Sequence, residues 1–326
     1  MDPKSKTVLI TGCAGFIGAK ITELLLKQSI NVIGIDNINN FYSPILKEWR
    51  LKRLKKFVNF KFYKLDIVNL NDLREVFQQN KFSALMNLAA RAGVRASVDN
   101  PWVYVDTNIT GTLNLLELSK DFGIKKFVLA STSSIYGANE TPFSENDKTD
   151  KQLSPYAATK KSAEALAYTY HYLYGIDITI LRYFTVYGPA GRPDMMPFKF
   201  IHHIAEGIPI PVYGDGNQER DFTYIDDIAR GSILSLKPLG YEVINLGSDR
   251  PIKVNYVIQL MEQYLGKKAI IDYQPIHSAD VPVTWANISK AREILSWNSN
   301  ISIEDGILNT VNWYLENRDW LKDIKF

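Results

Sequence analysis

Thr7-Val8-Leu9-Ile10-Thr11-Gly12-Cys13-Ala14-Gly15-Phe16-Ile17-Gly18, carried on through Ala19–Gln28 to Asn31-Val32-Ile33-Gly34-Ile35-Asp36, is the stretch that decides the fold. Thr7–Ile10 is a short β-prone run. Ala19–Gln28 reads as a helix whose Ile21, Leu24 and Leu25 fall on one side, and Asn31–Asp36 reads as a second strand ending on a carboxylate. Strand, glycine turn, helix, strand and acid make a dinucleotide-binding βαβ unit, because the glycines let the backbone approach a pyrophosphate at a helix N-terminus. The spacing is Gly-x-x-Gly-x-x-Gly through Gly12, Gly15 and Gly18, not the commoner Gly-x-Gly-x-x-Gly. Asp36 stands 24 residues beyond Gly12, where an acid accepts hydrogen bonds from a ribose. A carboxylate there repels a 2′-phosphate, so the expected cofactor is NAD and not NADP.

Outward from this unit, strands are expected at Phe60–Lys64, Ala84–Leu88, Lys126–Ala130 and Asp177–Arg182. Helices are expected at Leu70–Gln79, Pro101–Phe122 and Pro155–Tyr174. The alternation predicts an α/β chain: a Rossmann-type, doubly wound parallel sheet covered on both faces. Asp66-Ile67 and Leu88-Ala89-Ala90 fall just past strand ends, where small residues admit a cofactor. Asn108 lies inside the Pro101–Phe122 helix as a backbone-bonding residue near that site. After Tyr187 the texture changes. Gly188-Pro189-Ala190-Gly191-Arg192-Pro193 is rich in breakers, and the later segments alternate less regularly. The expected division is an NAD-binding domain over 1–187, rejoined by about 222–247 through Val243–Leu246, and a smaller C-terminal α/β substrate lobe over 188–326.

The 326 residues are 46% hydrophobic and 22% charged with net charge +3, which gives no argument for nucleic acid. One cysteine, Cys13, excludes an internal disulfide framework and suits a reducing compartment. No apolar run reaches the roughly 18 residues of a membrane span, and Met1–Lys6 lacks the apolar core of a signal peptide, so a cytoplasmic location is expected. Lys47–Lys56 carries Lys47, Arg50, Lys52, Arg53, Lys55 and Lys56; it is either a polyanion or membrane patch, or a solvated helix face. His171, His202, His203 and His277 lack metal-ligand spacing, and no metal is expected.

The chemistry is placed between Ala130 and Lys160. Ala130-Ser131-Thr132-Ser133-Ser134-Ile135-Tyr136-Gly137 puts hydroxyls at a strand's carboxyl end, where open α/β sheets bind ligands. Ser154-Pro155 starts a helix that sets Tyr156 and Lys160 one turn apart on one face. An ammonium there favours the phenolate of a neighbouring tyrosine. The pair alone also fits a surface helix whose tyrosine and lysine merely share a face.

With the glycine turn, Thr132, Tyr136-Gly137 and Tyr156-x-x-x-Lys160 together, the sequence resembles the extended short-chain dehydrogenase/reductase superfamily, from about Thr7 to beyond Asp280. More narrowly it is similar to the nucleotide-sugar epimerases, and within them to the UDP-glucuronate 4-epimerases. That likeness is carried by Ala89-Ala90-Arg91-Ala92-Gly93-Val94-Arg95, by Thr185 in Tyr183-Phe184-Thr185-Val186-Tyr187-Gly188-Pro189, and by Gly191-Arg192-Pro193-Asp194-Met195. The resemblance implies Thr132, Tyr156 and Lys160 as the catalytic triad. It implies Gly12, Gly15, Phe16, Ile17, Gly18, Asp36, Asp66, Ile67, Leu88, Ala89, Ala90, Asn108, Tyr156, Lys160 and Tyr183 as the NAD site. Tyr156 would take the proton of the 4-hydroxyl, NAD would accept the C4 hydride and return it to the other face, and Thr132 would orient O4.

Related dehydratases carry Asp-Glu after the threonine, and decarboxylases carry Glu at the position of Ser134. Ser133-Ser134 therefore disfavours both activities, and Thr132, Ser133, Ser134 and Thr185 are expected to grip a C6 carboxylate. Arg192 is either a counter-charge to that carboxylate or a loop arginine in a structural ion pair. Val212, Tyr213, Arg220 and Asp280 are expected at the UDP end, with Ala279 and Ser278 departing from the family's residues before Asp280. The runner-up substrates are UDP-glucose and UDP-N-acetylglucosamine, and a non-catalytic nucleotide-binding relative is the third reading. The resemblance further implies polysaccharide biosynthesis and a homodimer through Pro101–Phe122 and Pro155–Tyr174. Leu113, Leu116, Ala163, Leu166 and Tyr170 belong either to that interface or to the core.

Overall fold

The computed structural model describes residues 6–276, 280–322 and 324; His277, Ser278 and Ala279 lie outside the described residues. β1 (Thr7–Thr11) leads into α1 (Phe16–Lys27), β2 (Asn31–Asp36), α2 (Pro44–Leu54), β3 (Phe60–Lys64) and α3 (Leu70–Gln79). β4 (Ala84–Asn87) is followed by α4 (Val94–Asp99) and α5 (Trp102–Tyr104), then by a π-helical turn over Val105–Thr110 that runs into α6 (Gly111–Asp121). Next come β5 (Lys126–Thr132), a 3₁₀ turn at Ser133–Tyr136, α7 (Pro155–Tyr174), β6 (Asp177–Tyr183), β7 (Thr185–Tyr187), α8 (Met196–Glu206), β8 (Ile210–Tyr213), β9 (Glu219–Tyr224) and α9 (Ile225–Leu234). The chain finishes with β10 (Tyr241–Leu246), β11 (Pro251–Lys253), α10 (Val254–Leu265), β12 (Ile271–Gln274), α11 (Ser289–Leu295), α12 (Ile303–Glu316) and α13 (Arg318–Leu321).

Seven strands form one parallel sheet in the order β10-β6-β5-β4-β1-β2-β3. This is the doubly wound parallel sheet the alternation called for. The winding reverses between β1 and β4, so a crevice opens at their carboxyl ends. Period-two side-chain alternation explains the two covered faces. Val8, Ile10, Val128 and Ala130 point into one core with Ile21 and Leu25 of α1 and Ile228 of α9. Leu9, Leu85, Phe127 and Leu129 point into the other, against Leu73 of α3, Leu116 of α6 and Ala163 of α7. β10 returns to the edge beside β6, pairing Tyr241 with Ile178 and Leu246 with Tyr183. A three-stranded sheet, β11-β9-β7, and the pair β12-β8 lie beyond it over a third core, where Phe198, Phe222, Val257 and Ile307 meet.

Several boundaries differ from the sequence reading. β5 extends to Thr132, so that hydroxyl is the strand's last residue and not the second past it. The helix expected over Pro101–Phe122 contains the π turn, which no apolar periodicity announces. Asn108 within it bonds the backbone of Arg91 on both sides and donates to Thr159 Oγ1 at 3.0 Å. Leu116, Ala163 and Tyr170 are core residues, exposed to 0%, 0% and 7%; the outward apolar groups on these helices include Trp102, Val105, Tyr168 and Tyr172.

One polar network crosses the core. Glu164 of α7 accepts Ser131 Oγ of β5 at 2.5 Å and Arg182 Nε and Nη2 of β6 at 3.1 and 2.9 Å. Arg182 Nη1 donates to Tyr136 at 2.9 Å, and Tyr136 donates to Asn245 Oδ1 of β10 at 2.7 Å. Both charged side chains are almost wholly buried. Removing one member of such a pair strands the other, so Glu164→Gln is expected to cost about 3–5 kcal/mol in urea unfolding. A loss under about 1 kcal/mol, the size of an exposed pair, would show that the network is dispensable.

Candidate active site

α7 starts where the sequence signals it. Ser154 caps the helix, its Oγ accepting Ala157 N at 3.2 Å, and Pro155 supplies the first turn. This places Tyr156 and Lys160 in the first two turns, beside the end of β5. Thr132 hydrogen-bonds the Tyr156 phenol. Its Oγ1 also accepts Ser134 N and donates to Ser134 Oγ, each at 3.2 Å. Register pairs Thr132 with Tyr183, so Thr185, two residues on, brings another hydroxyl to the same edge. Thr132, Ser133 and Ser134 thus lie at the end of β5, Tyr156 and Lys160 in the first turns of α7, and Thr185 just past the neighbouring strand β6.

The electrostatics temper the sequence argument. Burial raises the Tyr156 phenol, while the Thr132 hydrogen bond and the Arg192 charge pull it down. Lys160 is 3% exposed, and burial lowers its ammonium from 10.5 to about 8, opposed by Glu164 one turn on. The ammonium therefore remains the major form at pH 7, with its proton held less tightly than that of a free lysine.

The glycine turn is a cradle with no room for side chains. Gly12 has φ +68°, and a Cβ there would meet Ala89 N at 2.7 Å and the Leu88 carbonyl carbon at 2.8 Å. A Cβ on Gly18 would meet Gly12 O at 2.1 Å. α1 begins after Gly15 with no side-chain cap, leaving its first amides for an anion. Asp36 accepts Ala14 N at 3.1 Å and Ile38 N at 2.8 Å, so it shapes both loops around the crevice. Asp66 accepts Asn37 Nδ2 at 2.6 Å and Val68 N at 3.0 Å. This chemistry, a glycine cradle, a bare helix start and a carboxylate at the second strand, fits NAD.

Other residues named from sequence have their side chains elsewhere. Tyr183 turns its phenol into the core, 2.8 Å from Ser232 Oγ, and brings only its backbone beside Thr132. Val212, 1% exposed, packs within the third core, and Ile67 lies under Gly111. Phe16 and Ile17 are partly buried against the cores. Arg192 forms the ion pair: Nε and Nη2 meet Asp194 at 3.1 and 2.5 Å, and Nη2 reaches Ala92 O at 3.3 Å.

Arg95, Lys47 and Arg50 have no site role in the sequence reading. Arg95 lies over the Tyr213 ring, 3.5 Å from its centroid, and pairs with Asp280. Arg220 joins them; burial and Arg95 lower its pKa, and Asp280 opposes. Two guanidiniums with one carboxylate and a tyrosine suit a nucleoside diphosphate. In the basic stretch, Lys52, Arg53, Lys55 and Lys56 are exposed, but Lys47 and Arg50 turn inward. Lys47 donates to Asn39 O and Oδ1, both at 2.9 Å. Arg50 uses every donor group: Ala14 O at 3.1 Å, Tyr42 OH at 3.0 Å, Ala190 O at 3.2 and 2.6 Å and Gly191 O at 3.1 Å. It thereby ties the glycine turn to the Gly188–Pro193 loop. Only the inward side of a helix distinguishes such residues from solvated ones, and periodicity over this weakly apolar segment does not reveal it. Among the described residues no three His, Cys, Asp or Glu side chains gather as a metal site.

Residues 8–247 match the model of the NAD dependent epimerase/dehydratase family. The chain is 61% identical over 318 residues to a UDP-glucuronate 4-epimerase of Thermodesulfobacterium geofontis, covering 97% of this chain and 98% of that one. It superposes on the crystal structure of Bacillus cereus UDP-glucuronic acid 4-epimerase, in complex with UDP-glucuronic acid and NAD, with TM-score 0.91 and 38% identity over 95% and 99% of the two chains. UDP-glucose 4-epimerase of Thermotoga maritima, solved with UDP-glucose, is also similar: TM-score 0.89, 32% identity, 96% and 99% covered.

The buried Lys160 sets a pH dependence of stability. Its pKa is lower folded than unfolded, so between about 8 and 10.5 the unfolded chain binds more protons and native stability rises with pH. Below that window the buried ammonium costs on the order of 3 kcal/mol. Lys160→Met is expected to recover much of this in urea unfolding at pH 7, with the gain shrinking towards pH 10.5. A gain independent of pH would mean that packing, not charge, is responsible.

Proposed function

The chain belongs to the NAD dependent epimerase/dehydratase family, and from that membership we propose that it is an NAD-dependent UDP-glucuronate 4-epimerase, forming UDP-galacturonate through a 4-keto sugar. The observation that carries this reading is the row of hydroxyls Thr132, Ser133, Ser134 and Thr185 beside Tyr156 and Lys160, with no carboxylate among residues 131–136. A hydroxyl set can hold a C6 carboxylate by charge-assisted hydrogen bonds and has no group to act as acid or base in elimination.

Tyr156 is the general base that removes the 4-hydroxyl proton and later returns it. Its phenol is raised by burial, so the process depends on the groups that pull it down, Thr132 and Arg192. Thr132 orients O4 through its place at the strand end. NAD, when bound, supplies the reversible hydride acceptor and a positive ring near the phenol. Gly12, Gly15 and Gly18 hold its pyrophosphate, and Asp36 its adenosine ribose, with Leu88, Ala89 and Ala90 lining the way to the reaction centre. Arg95, Tyr213, Arg220 and Asp280 anchor the UDP end while the 4-keto sugar presents its other face. Arg192, held by Asp194 and Ala92 O, acts as a nearby charge and keeps its loop in place.

The 4-keto acid is a β-keto acid and loses CO₂ if its C5–C6 bond aligns with the ketone π system. In our reading the hydroxyl set holds that bond near the ring plane, where overlap is poor. The Rossmann unit over 1–187 and 222–247 carries NAD, and the remaining C-terminal segments cover the sugar. Enzyme and product belong to a reducing, cytoplasmic setting, where UDP-galacturonate is an activated donor for polysaccharide synthesis. The exposed Trp102 (77%), Val105 and Tyr172 (74%) are the contact face of a homodimer.

Purified protein given UDP-glucuronate without added NAD is expected to yield UDP-galacturonate by NMR, faster than it converts UDP-glucose or UDP-N-acetylglucosamine. Preference for a neutral sugar would shift the assignment to the runner-up substrates. Tyr156→Phe is expected to lose about 10²–10⁴ in rate, and parental turnover would leave only a nucleotide-binding protein. Thr185→Ala is expected to raise CO₂ release per epimerisation; unchanged partition would refute the carboxylate grip. Sedimentation should give a dimer that Trp102→Glu dissociates, and a monomeric parent would remove that face.

A further inference from the structure

The loops after β2 and β4 meet above the glycine turn. In the sheet β1 lies between β4 and β2, so any contact from one of these loops to the other must pass over the turn that follows β1. Such a contact exists. Arg91, four residues past the end of β4, lies with its guanidinium carbon 4.2 Å from the ring centroid of Phe41, five residues past the end of β2. Arg192 approaches the same ring, at 5.5 Å. Arg91 is fixed by its backbone: its amide donates to Asn108 Oδ1 at 2.8 Å and its carbonyl accepts Asn108 Nδ2 at 3.0 Å.

The head group of Arg91 is not satisfied there. Its Nη1 is buried without a hydrogen-bond partner among the described residues. The groups that act on it are the Tyr104 phenol, whose hydroxyl donates to Gly93 O, then Arg192, of like sign, and Asp66, whose carboxylate already serves Asn37 and Val68. Lys47 and Arg50 add two more cations around the same loops, and Asp36 is committed to the amides of Ala14 and Ile38. A buried donor on a cation, in a cluster of cations and above a phosphate cradle, requires an anion to complete it.

We propose that Arg91 is a phosphate-binding residue of the dinucleotide site, stacked on Phe41 so that the two close over the pyrophosphate held at the glycine turn. The residue deepens the functional reading above, since it takes NAD as the resident dinucleotide, but it does not depend on which sugar is turned over. Asn108 is then a positioning residue: its two bonds to Arg91, with its bond to Thr159 of α7, link the clasp to the catalytic helix. The clasp resists escape of NAD between turnovers, which a catalyst that regenerates its cofactor in every cycle can use.

The test measures cofactor and not turnover. Holoenzyme freed of excess ligand is exchanged against labelled NAD, and bound NAD per protomer is counted after gel filtration. Arg91→Met is expected to exchange about tenfold faster or more and to lose NAD on the column, Arg91→Lys to be intermediate, and Phe41→Leu to speed exchange with the charge intact. Circular dichroism at the working temperature confirms that each variant is folded. If Arg91→Met retains NAD and exchanges it at the parental rate, the proposal is overturned. If in addition its KM rises for UDP-glucuronate and not for UDP-glucose, Arg91 serves the sugar carboxylate instead. A failure of the protein to epimerise UDP-glucuronate at all would contradict the functional reading while leaving the exchange result standing.

Discussion

The buried Arg182–Glu164 pair is the constraint on which the catalytic geometry depends. Its partners come from β5, β6, β10, α7 and the 3₁₀ turn after β5, so one ion pair fixes the strand that ends in Thr132 against the helix that carries Tyr156 and Lys160. Two charges taken out of water give little net stability, even when well bonded. What they provide here is position. A displacement of the helix along the sheet would break several bonds together, whereas apolar packing alone resists sliding only weakly.

Around that fixed centre the nucleotide crevice is assembled from backbone held by side chains. Arg50 gathers carbonyls from the glycine turn and from Ala190 and Gly191, and Lys47 with Asn39 and Asn37 orders the loop beyond β2. The glycine turn and the Gly188–Pro193 loop therefore share one guanidinium. Cations also set the chemistry. A lysine held near 8 is costly to the fold below that pH, whereas burial keeps the Tyr156 phenol neutral and the Thr132 hydroxyl and the Arg192 charge draw it back towards ionisation.

The superposition on a related structure extends over 95% of the chain, so the resemblance includes the C-terminal segments as well as the seven-stranded sheet. The acidic residues that would redirect a 4-keto sugar towards elimination are missing at Ser133 and Ser134. Within one scaffold, reaction outcome then turns on a few side chains at a strand end.

The sequence by itself determined the parallel sheet, the glycine turn, the carboxylate at the end of β2 and the helix start at Ser154. Each is set by local rules, namely apolar runs, breaker residues and a cap, acting over a few residues. The hydroxyl row and the Tyr156–Lys160 spacing were legible for the same reason. Tertiary structure alone decided that Arg50 and Lys47 turn inward from a basic helix, that Tyr183 and Val212 point into cores, that Arg192 is held by Asp194, and that Arg91 meets Phe41. It also decided the π turn that aims Asn108. These are contacts between residues distant in sequence, and which face of an element is covered depends on the packing of the whole chain, which no local pattern contains.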